Sequence, residues 1–551
     1  MRIQLRVALI FALCALAPSA FAIDTRVLSA ADVVAEIAAT GRIEGPKTVE
    51  DDLDLGRLSE AAGKSPGGMV FNDVRFRGRL TGAPSVHLRI QGGSVCRIEA
   101  DGLAWPQAVD IRGATIGAAR FRSARMRGAW SCFECALCRT NFEEVQFADE
   151  ASFTGTRFGA ATDPDLCRES APAACGTANF AEASFAAIAR FDRAAFQSGA
   201  SFDGAEFRDA ARFARASATQ GMSAIGTRFR RDAEFRDCVL TDAYFGPDTR
   251  ASGQTTFEAT EFTARADFRG CRFAGTTHFD AAVFAGDALF TRARFTGPDL
   301  SFLGVLAAHA IDLRAAGLSD PAARLALDAT AADAIRLDWD SAGDAILRAL
   351  PGLPAEQRVS TLDALSRTLD SQGETRAGLR VAFAAKQARR DQQASICGDD
   401  SVAGCAAGEA EWWLWTWPTR NGSDLAWPLA ALGLLWGMAV LVGLPRGRVL
   451  GVPGEPADGG AAYRCVTAGS MPDGTWCPTG LQRAEMAIGF ATRLVFKLGP
   501  TQLRMAAPTG VTGVAATNLA LRLAWILGWA LLGLVAAVIA AAFPGLRAIL
   551  P

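Results

Sequence analysis

Apolar positions in the middle of this chain follow a beat that is neither helical nor simply extended. Phe180, Phe185, Phe191, Phe196, Phe202, Phe207 and Phe213 recur at alternating steps of five and six. The beat returns at Phe257, Phe262, Phe268, Phe273, Phe279, Phe284, Phe290 and Phe295. A period of 3.6 would scatter such positions around a helix axis. A plain strand of period two cannot hold odd and even spacings on one face. A short extended side followed by a corner satisfies both steps, so the pattern predicts a coiled stack of short strands. Each central Phe then points inward and stacks on its equivalents about 4.8 Å above and below. The alternation predicts a bulge or wider corner on every second side.

A second mark accompanies the first. A small residue precedes each strong Phe by two positions: Ala178, Ala183, Ala189 and Ala194 in one run, and Thr255, Thr260, Ala266 and Cys271 in the other. This pairing resembles the pentapeptide-repeat family, over about residues 66–305. The resemblance implies a right-handed quadrilateral β-helix, each unit forming one side of a square coil. The Phe residues named above are then a structural interior ladder. Cys96, Cys238 and Cys271, each two positions before an apolar centre, read as small interior residues.

The expected organisation follows from where the beat starts and stops. Residues 23–65 form an N-terminal cap, with Ser29 capping a helix to Ala39, Gly41 ending it, and a strand over Val49–Leu55. Residues 66–340 form the β-helix, with insertions at 159–177 and 246–255. Residues 341–394 form a helical hairpin, in which Leu362, Leu365 and Leu369 mark one face. Such a helical segment resembles the one that follows the repeats in some membrane-anchored members of the family. Residues 395–424 are a Cys/Trp-rich juxtamembrane linker. Leu425–Leu444 and Leu523–Phe543 have the length and apolarity of transmembrane helices. They flank a loop, 445–522, that carries an amphipathic segment at Met486–Leu498, and a tail follows at 544–551. The fold class expected is mainly β: a solenoid, a helical hairpin and two C-terminal transmembrane helices.

Residues 1–22 have the basic start, apolar core and Ala20-Phe21-Ala22 site of a secretory signal peptide. Eight Arg and Lys against four Asp and Glu in the loop 445–522 place it in the cytoplasm by the positive-inside rule. Both arguments put residues 23–424 in the periplasm, anchored in the inner membrane. In an exported chain the local pairs Cys167/Cys175, Cys397/Cys405 and Cys465/Cys477 read as disulfides. The last pair conflicts with a cytoplasmic loop.

Charge and chemistry narrow the function. Net charge is −2, and Phe180–Phe302 holds 16 Asp and Glu against 15 Arg. Some pentapeptide-repeat proteins imitate DNA through an acidic surface; this neutral segment and the signal peptide argue against that, so no nucleic-acid partner is expected. Carboxylates in the repeats alternate with arginines as a solvated face would. Cys132, Cys135 and Cys138 have a spacing that suits a metal, or disulfides, or interior packing. His87, His278 and His309 are too scattered to supply a fourth ligand. No hydrolase triad, phosphate loop or zinc-protease motif is present. The expectation is a non-enzyme with no cofactor and no small-molecule substrate. It is a rigid extracytoplasmic scaffold for an envelope protein, or, as the alternative, an accessory subunit of a membrane transport or channel assembly.

Overall fold

The computed structural model describes residues 26–63, 67–161, 163, 165–167, 175–318, 323–327, 335–396, 426–443, 449–451, 488, 491–492, 495–496, 504–506, 523–524 and 526–537. The chain divides into two compact units at Leu353/Pro354. The first is a parallel β-solenoid. One side of it is a continuous sheet of 13 strands, one per coil, and a second side has 10. The remaining two sides alternate within a third sheet.

One coil shows how the sequence makes this shape. Its strands are Ala178–Asn179, Ser184–Phe185, Ala189–Arg190 and Ala195–Phe196. The next strand, Ala200–Ser201, lies directly over the first, Ala178 against Ala200. The coil therefore repeats every 200 − 178 = 22 residues, two steps of five and two of six.

The two step lengths correspond to two kinds of corner. After Phe180 the Ala183 amide donates to the Phe180 carbonyl at 3.1 Å. The residue between, Glu182, has φ 56°, so the turn has the left-handed third residue of type II geometry. The same device follows Phe191, with Arg193 at φ 58°, and Phe202, with Gly204 at φ 69°. These tight corners close the five-residue steps. The six-residue steps take the wider corner that the alternation predicts.

The interior is the ladder of rings. Phe185 lies on Phe207 with centroids 4.7 Å apart and planes 1° from parallel. Phe262 lies on Phe284 at 4.8 Å and 2°. Between opposite sides the contact is edge to face: Phe180, Phe191 and Phe202 form a zigzag at 5.3 and 5.2 Å. Both geometries are favoured by the aromatic quadrupole. The small residue two positions earlier is buried throughout, as Ala178, Ala183, Ala189 and Ala194 illustrate. Before the tight corners, where it is Thr, its hydroxyl donates to a carbonyl one coil back, as Thr227 does to Phe202 at 2.8 Å. Cys238 takes the same role, with Sγ 2.9 Å from the Phe213 carbonyl oxygen.

Several boundaries differ from expectation. The ladder does not pause between Phe213 and Phe257. Ala218, Ala224, Phe229, Phe235, Leu240, Phe245 and Ala251 fill the central positions and are all buried. Residues 246–255 are therefore not an insertion. Arg250–Ala251 pairs in register with Arg228–Phe229 on one side and Arg272–Phe273 on the other. The first coils also begin inside the expected cap, because Lys47–Val49 pairs with Val74–Phe76. Helix α1, Ala30–Thr40, has the Ser29/Asp32 capping box and a left-handed Gly41 at its end. The strand expected over Val49–Leu55 is instead two short ones, Lys47–Val49 and Leu53–Asp54. Asp54 caps helix α2, Leu55–Ala62, by accepting from the Gly56 amide at 2.8 Å. Helix α3, Trp339–Ala349, belongs to the first unit.

The second unit is helical. Helix α4, Ala355–Ser371, packs on α5, Thr375–Ile396, across a left-handed Gly373. Leu362, Leu365 and Leu369 are buried with Val381 and Ala385. Helix α6, Ala426–Gly443, occupies most of the first expected span. Leu432 and Leu435 pack with Val495 and Leu531. Among the described residues no helix is long and apolar enough to cross a membrane. Residues 425 and 444 of the first expected span, and 525 and 538–543 of the second, lie outside the described residues.

Phe257 touches rings above, below and across the core. Phe257→Ala is expected to cost about 3–5 kcal/mol, read as a loss of that size in denaturant unfolding of the full chain.

Candidate functional site

Between Val109 and Phe302 the repeat takes one long insertion. From Phe142 to Phe180 the spacing is 38 residues, one coil of 22 plus 16. The extra residues leave after Phe158, at the wider corner between the two sides that share a sheet. They turn back over three earlier rungs, Ser94–Glu99, Thr115–Arg120 and Ala136–Asn141, which stack in register.

Two disulfides hold the insertion there. Cys167 bonds to Cys96, with Cα atoms 4.8 Å apart, and Cys175 to Cys138, at 4.6 Å. Cys167 and Cys175 are therefore both oxidised, but not to each other. Each reaches a strand that the coil has brought alongside, and Cys96 is a bridge rather than interior packing. Between the anchors lies Gly117. A Cβ there would sit 2.6 Å from the Cys96 carbonyl oxygen, so glycine is required by the neighbouring rung, while the insertion lies at ordinary contact distance, with Cys167 Sγ 3.6 Å from that Cβ position. Leu166 is buried against the Cys96–Cys167 pair. Arg75 adds a polar anchor, with Nη2 2.9 Å from Asp163 Oδ2 and 2.8 Å from the Asp165 carbonyl oxygen.

A cavity of about 460 Å³ opens beside the insertion. Arg97, Arg120, Arg139, Asn141 and Thr177 line it together with the Cys96–Cys167 bridge. Glu99 balances part of this charge, 3.3 Å from Arg97 and 4.0 Å from Arg120. The volume suits a small ligand or a protruding side chain of a partner.

The proposed metal ligands do not converge. Cys132 and Cys135 bond to each other across a tight corner, with Cα atoms 5.8 Å apart, while Cys138 is committed to Cys175. Cys132 is itself a ladder position, in register between Ile111 and the strand before Phe153. Among the described residues no group of three or more His, Cys, Asp or Glu is placed to hold a metal ion. Cys397, Cys405, Cys465 and Cys477 lie outside the described residues. His278 faces outward as expected, with Nδ1 3.4 Å from Asp280 Oδ2.

On the solenoid surface, opposite charges meet across rungs: Arg190–Glu150 at 2.6 Å, Arg230–Glu206 at 2.8 Å and Arg236–Glu258 at 3.1 Å. Hydrogen bonding from Arg230 holds the Glu206 carboxyl below the usual carboxylate range. Among the described residues, one column of arginines has no such partner. Arg228, Arg250, Arg272 and Arg294 occupy one column on consecutive rungs. Sequence reading missed it, because the column shows only when the chain is written out in rows of 22.

Comparison with known proteins finds no matching family model, no similar curated protein and no similar solved structure.

Peptide mapping without reduction is expected to recover Cys96 linked to Cys167 and Cys138 linked to Cys175. A Cys167–Cys175 peptide as the main species contradicts the placement of the insertion.

Cys238 and Cys271 are free and buried. Burial pushes the Cys238 thiol from its ordinary value near 9 up to about 12, and raises Cys271 as well. Ionisation thus favours the unfolded chain. The thiols' contribution to stability is whole below about pH 9 and is lost as pH rises toward the folded value. The Cys238→Thr/Cys271→Thr variant, matching Thr227 and Thr260 in the same role, is expected to unfold at a less pH-dependent temperature between pH 9 and 11.

Proposed function

We propose that this protein is an exported, membrane-anchored scaffold of the bacterial envelope. Its pentapeptide-repeat-like solenoid stands in the periplasm, and a protein partner docks at the disulfide-stapled insertion. One observation carries the reading. Six cysteines of the described solenoid form three disulfides, and two of these fasten the long insertion in the repeat. Disulfides that persist belong to an oxidising compartment, which agrees with the signal peptide read at residues 1–22.

Rigidity suits the role. A solenoid whose rings lock each coil to the next holds a docking element at a fixed height and orientation. The insertion adds shape, a cavity and charge to a surface that is otherwise a repeat of short flat sides. Anchoring is supported by the composition of α6, which carries no charged side chain and leaves Leu429, Leu434 and Leu441 more than half exposed. Exposed apolar surface on that scale suits lipid or another helix. The role requires no catalytic group and no cofactor.

A photoreactive amino acid at position 165, on the insertion, tests the docking site in intact cells. The expected outcome is a crosslink to one envelope protein, absent when the same residue is placed at position 215 on a regular coil. Identical products from both positions, or none from position 165, would sink the reading.

A further inference from the structure

The arginine column is independent of the insertion. In it Glu206 is followed, rung by rung, by Arg228, Arg250, Arg272 and Arg294. All four side chains are exposed. Among the described residues none lies within ion-pair distance of a carboxylate. Parallel strands stand about 4.8 Å apart, and like charges placed directly opposite destabilise a strand pair. At Arg79/Arg97 and Arg190/Arg212, where arginines also face each other, a carboxylate partners at least one of the two. Here three repulsive contacts follow one another with no carboxylate partner among the described residues.

The surroundings keep the row open. On the other outward position of these rungs stand Arg230, Ser252, Ala274 and Thr296. The adjoining wide corner carries Gly253, Gly275 and Gly297. A Cβ at any of them would run into the backbone of the preceding rung, so on these three rungs, though not at Arg231 on the first, this corner position carries no side chain. No outward position on the four rungs is aromatic or aliphatic beyond alanine. The result is a column of exposed arginines along the stacked strands, one per coil.

We propose that this face binds a linear acidic polysaccharide that bears one carboxylate per sugar ring. Guanidinium groups pair with carboxylates through two parallel hydrogen bonds. In an extended uronic acid chain successive carboxylates turn to alternate sides, so those facing the row recur about every two rings, near two strand spacings, and meet alternate arginines while the arginines between reach sugar hydroxyls. Ser252 and Thr296 offer hydroxyls to the sugar hydroxyls beside it. Other polyanions fit less well. Duplex DNA carries one charge per about 1.7 Å of axis. Single-stranded nucleic acid relies on exposed aromatic side chains for stacking, and this face has none. An extended acidic peptide repeats on one face only every ~6.6 Å. A membrane surface calls for an apolar flank as well as charge.

The test uses the purified full chain in detergent and polygalacturonate as probe, titrated at several salt concentrations. Binding is expected to weaken as salt rises. The Arg250→Gln/Arg272→Gln variant is expected to bind at least tenfold more weakly, with a shallower dependence on salt. Arg250→Lys/Arg272→Lys, which keeps the charge but loses the paired geometry, is expected to fall between. Arg193→Gln/Arg215→Gln, exposed arginines on another side, is expected to bind as the parent does. Absence of polygalacturonate binding overturns the proposal, as does an equal loss in the Arg193/Arg215 variant. Tighter binding, through the same two arginines, of polyphosphate, polyadenylate, polyglutamate or anionic phosphatidylglycerol vesicles overturns it equally.

Discussion

Ring-on-ring contact at a period of 22 residues is the constraint on which the rest depends. A central Phe can stack on its equivalent only if the chain returns to the same side one coil later. Two tight and two wide corners per coil meet that condition. The tight ones place a residue in the left-handed region, which costs a non-glycine residue about 1–2 kcal/mol. The chain accepts this at Glu182, Arg193, Arg215, Asp237, Ala259 and Ala281. Each buried ring contributes roughly 1.5–3 kcal/mol, and its stacked and edge-to-face neighbours add to that. Burial therefore outweighs the strain of the corners, and it does so locally in every coil.

The same contact explains what the surface can carry. Once the interior is locked, outward positions are free to vary, and columns one coil apart are brought into register whatever their chemistry. That is how Cys96, Gly117 and Cys138 become neighbours able to seat an insertion, and how four arginines become a row. Both features arise from residues remote in sequence that share a rung position. The insertion concentrates shape and the row concentrates charge. The envelope scaffold proposed above draws on the first, and the polysaccharide face on the second.

Much of this was legible before any coordinates. Phe180 to Phe213 and Phe257 to Phe295 announced the coil, its inward face and its two corner types, because large rings at central positions are a loud signal. The stretch between them was not, because Ala218, Ala224 and Ala251 hold central positions with small side chains. Periodicity in hydrophobic size fails there, while strand register persists through backbone hydrogen bonds. The cysteines misled for a related reason. Cys167 and Cys175 are close in sequence, but the coil offers each a nearer partner on a neighbouring rung. Cys132 and Cys135 sit at metal-like spacing only because a tight corner separates a ladder position from the small residue after it. Apolar segments near the C-terminus could be read for composition but not for how far each helix extends.

Residues 246–255 bear most directly on the central claim, since they are either a loop outside the stack or one more coil side within it. Hydrogen exchange of the full chain, followed by mass spectrometry, separates the two. Stacking requires the Arg250 and Ser252 amides to donate to the Thr227 and Phe229 carbonyls, at 2.9 and 2.8 Å. The account predicts that the segment exchanges as slowly as Ala200–Phe213 and opens with it as one unit. Fast exchange over 246–255, between two slow blocks, would contradict a continuous ladder.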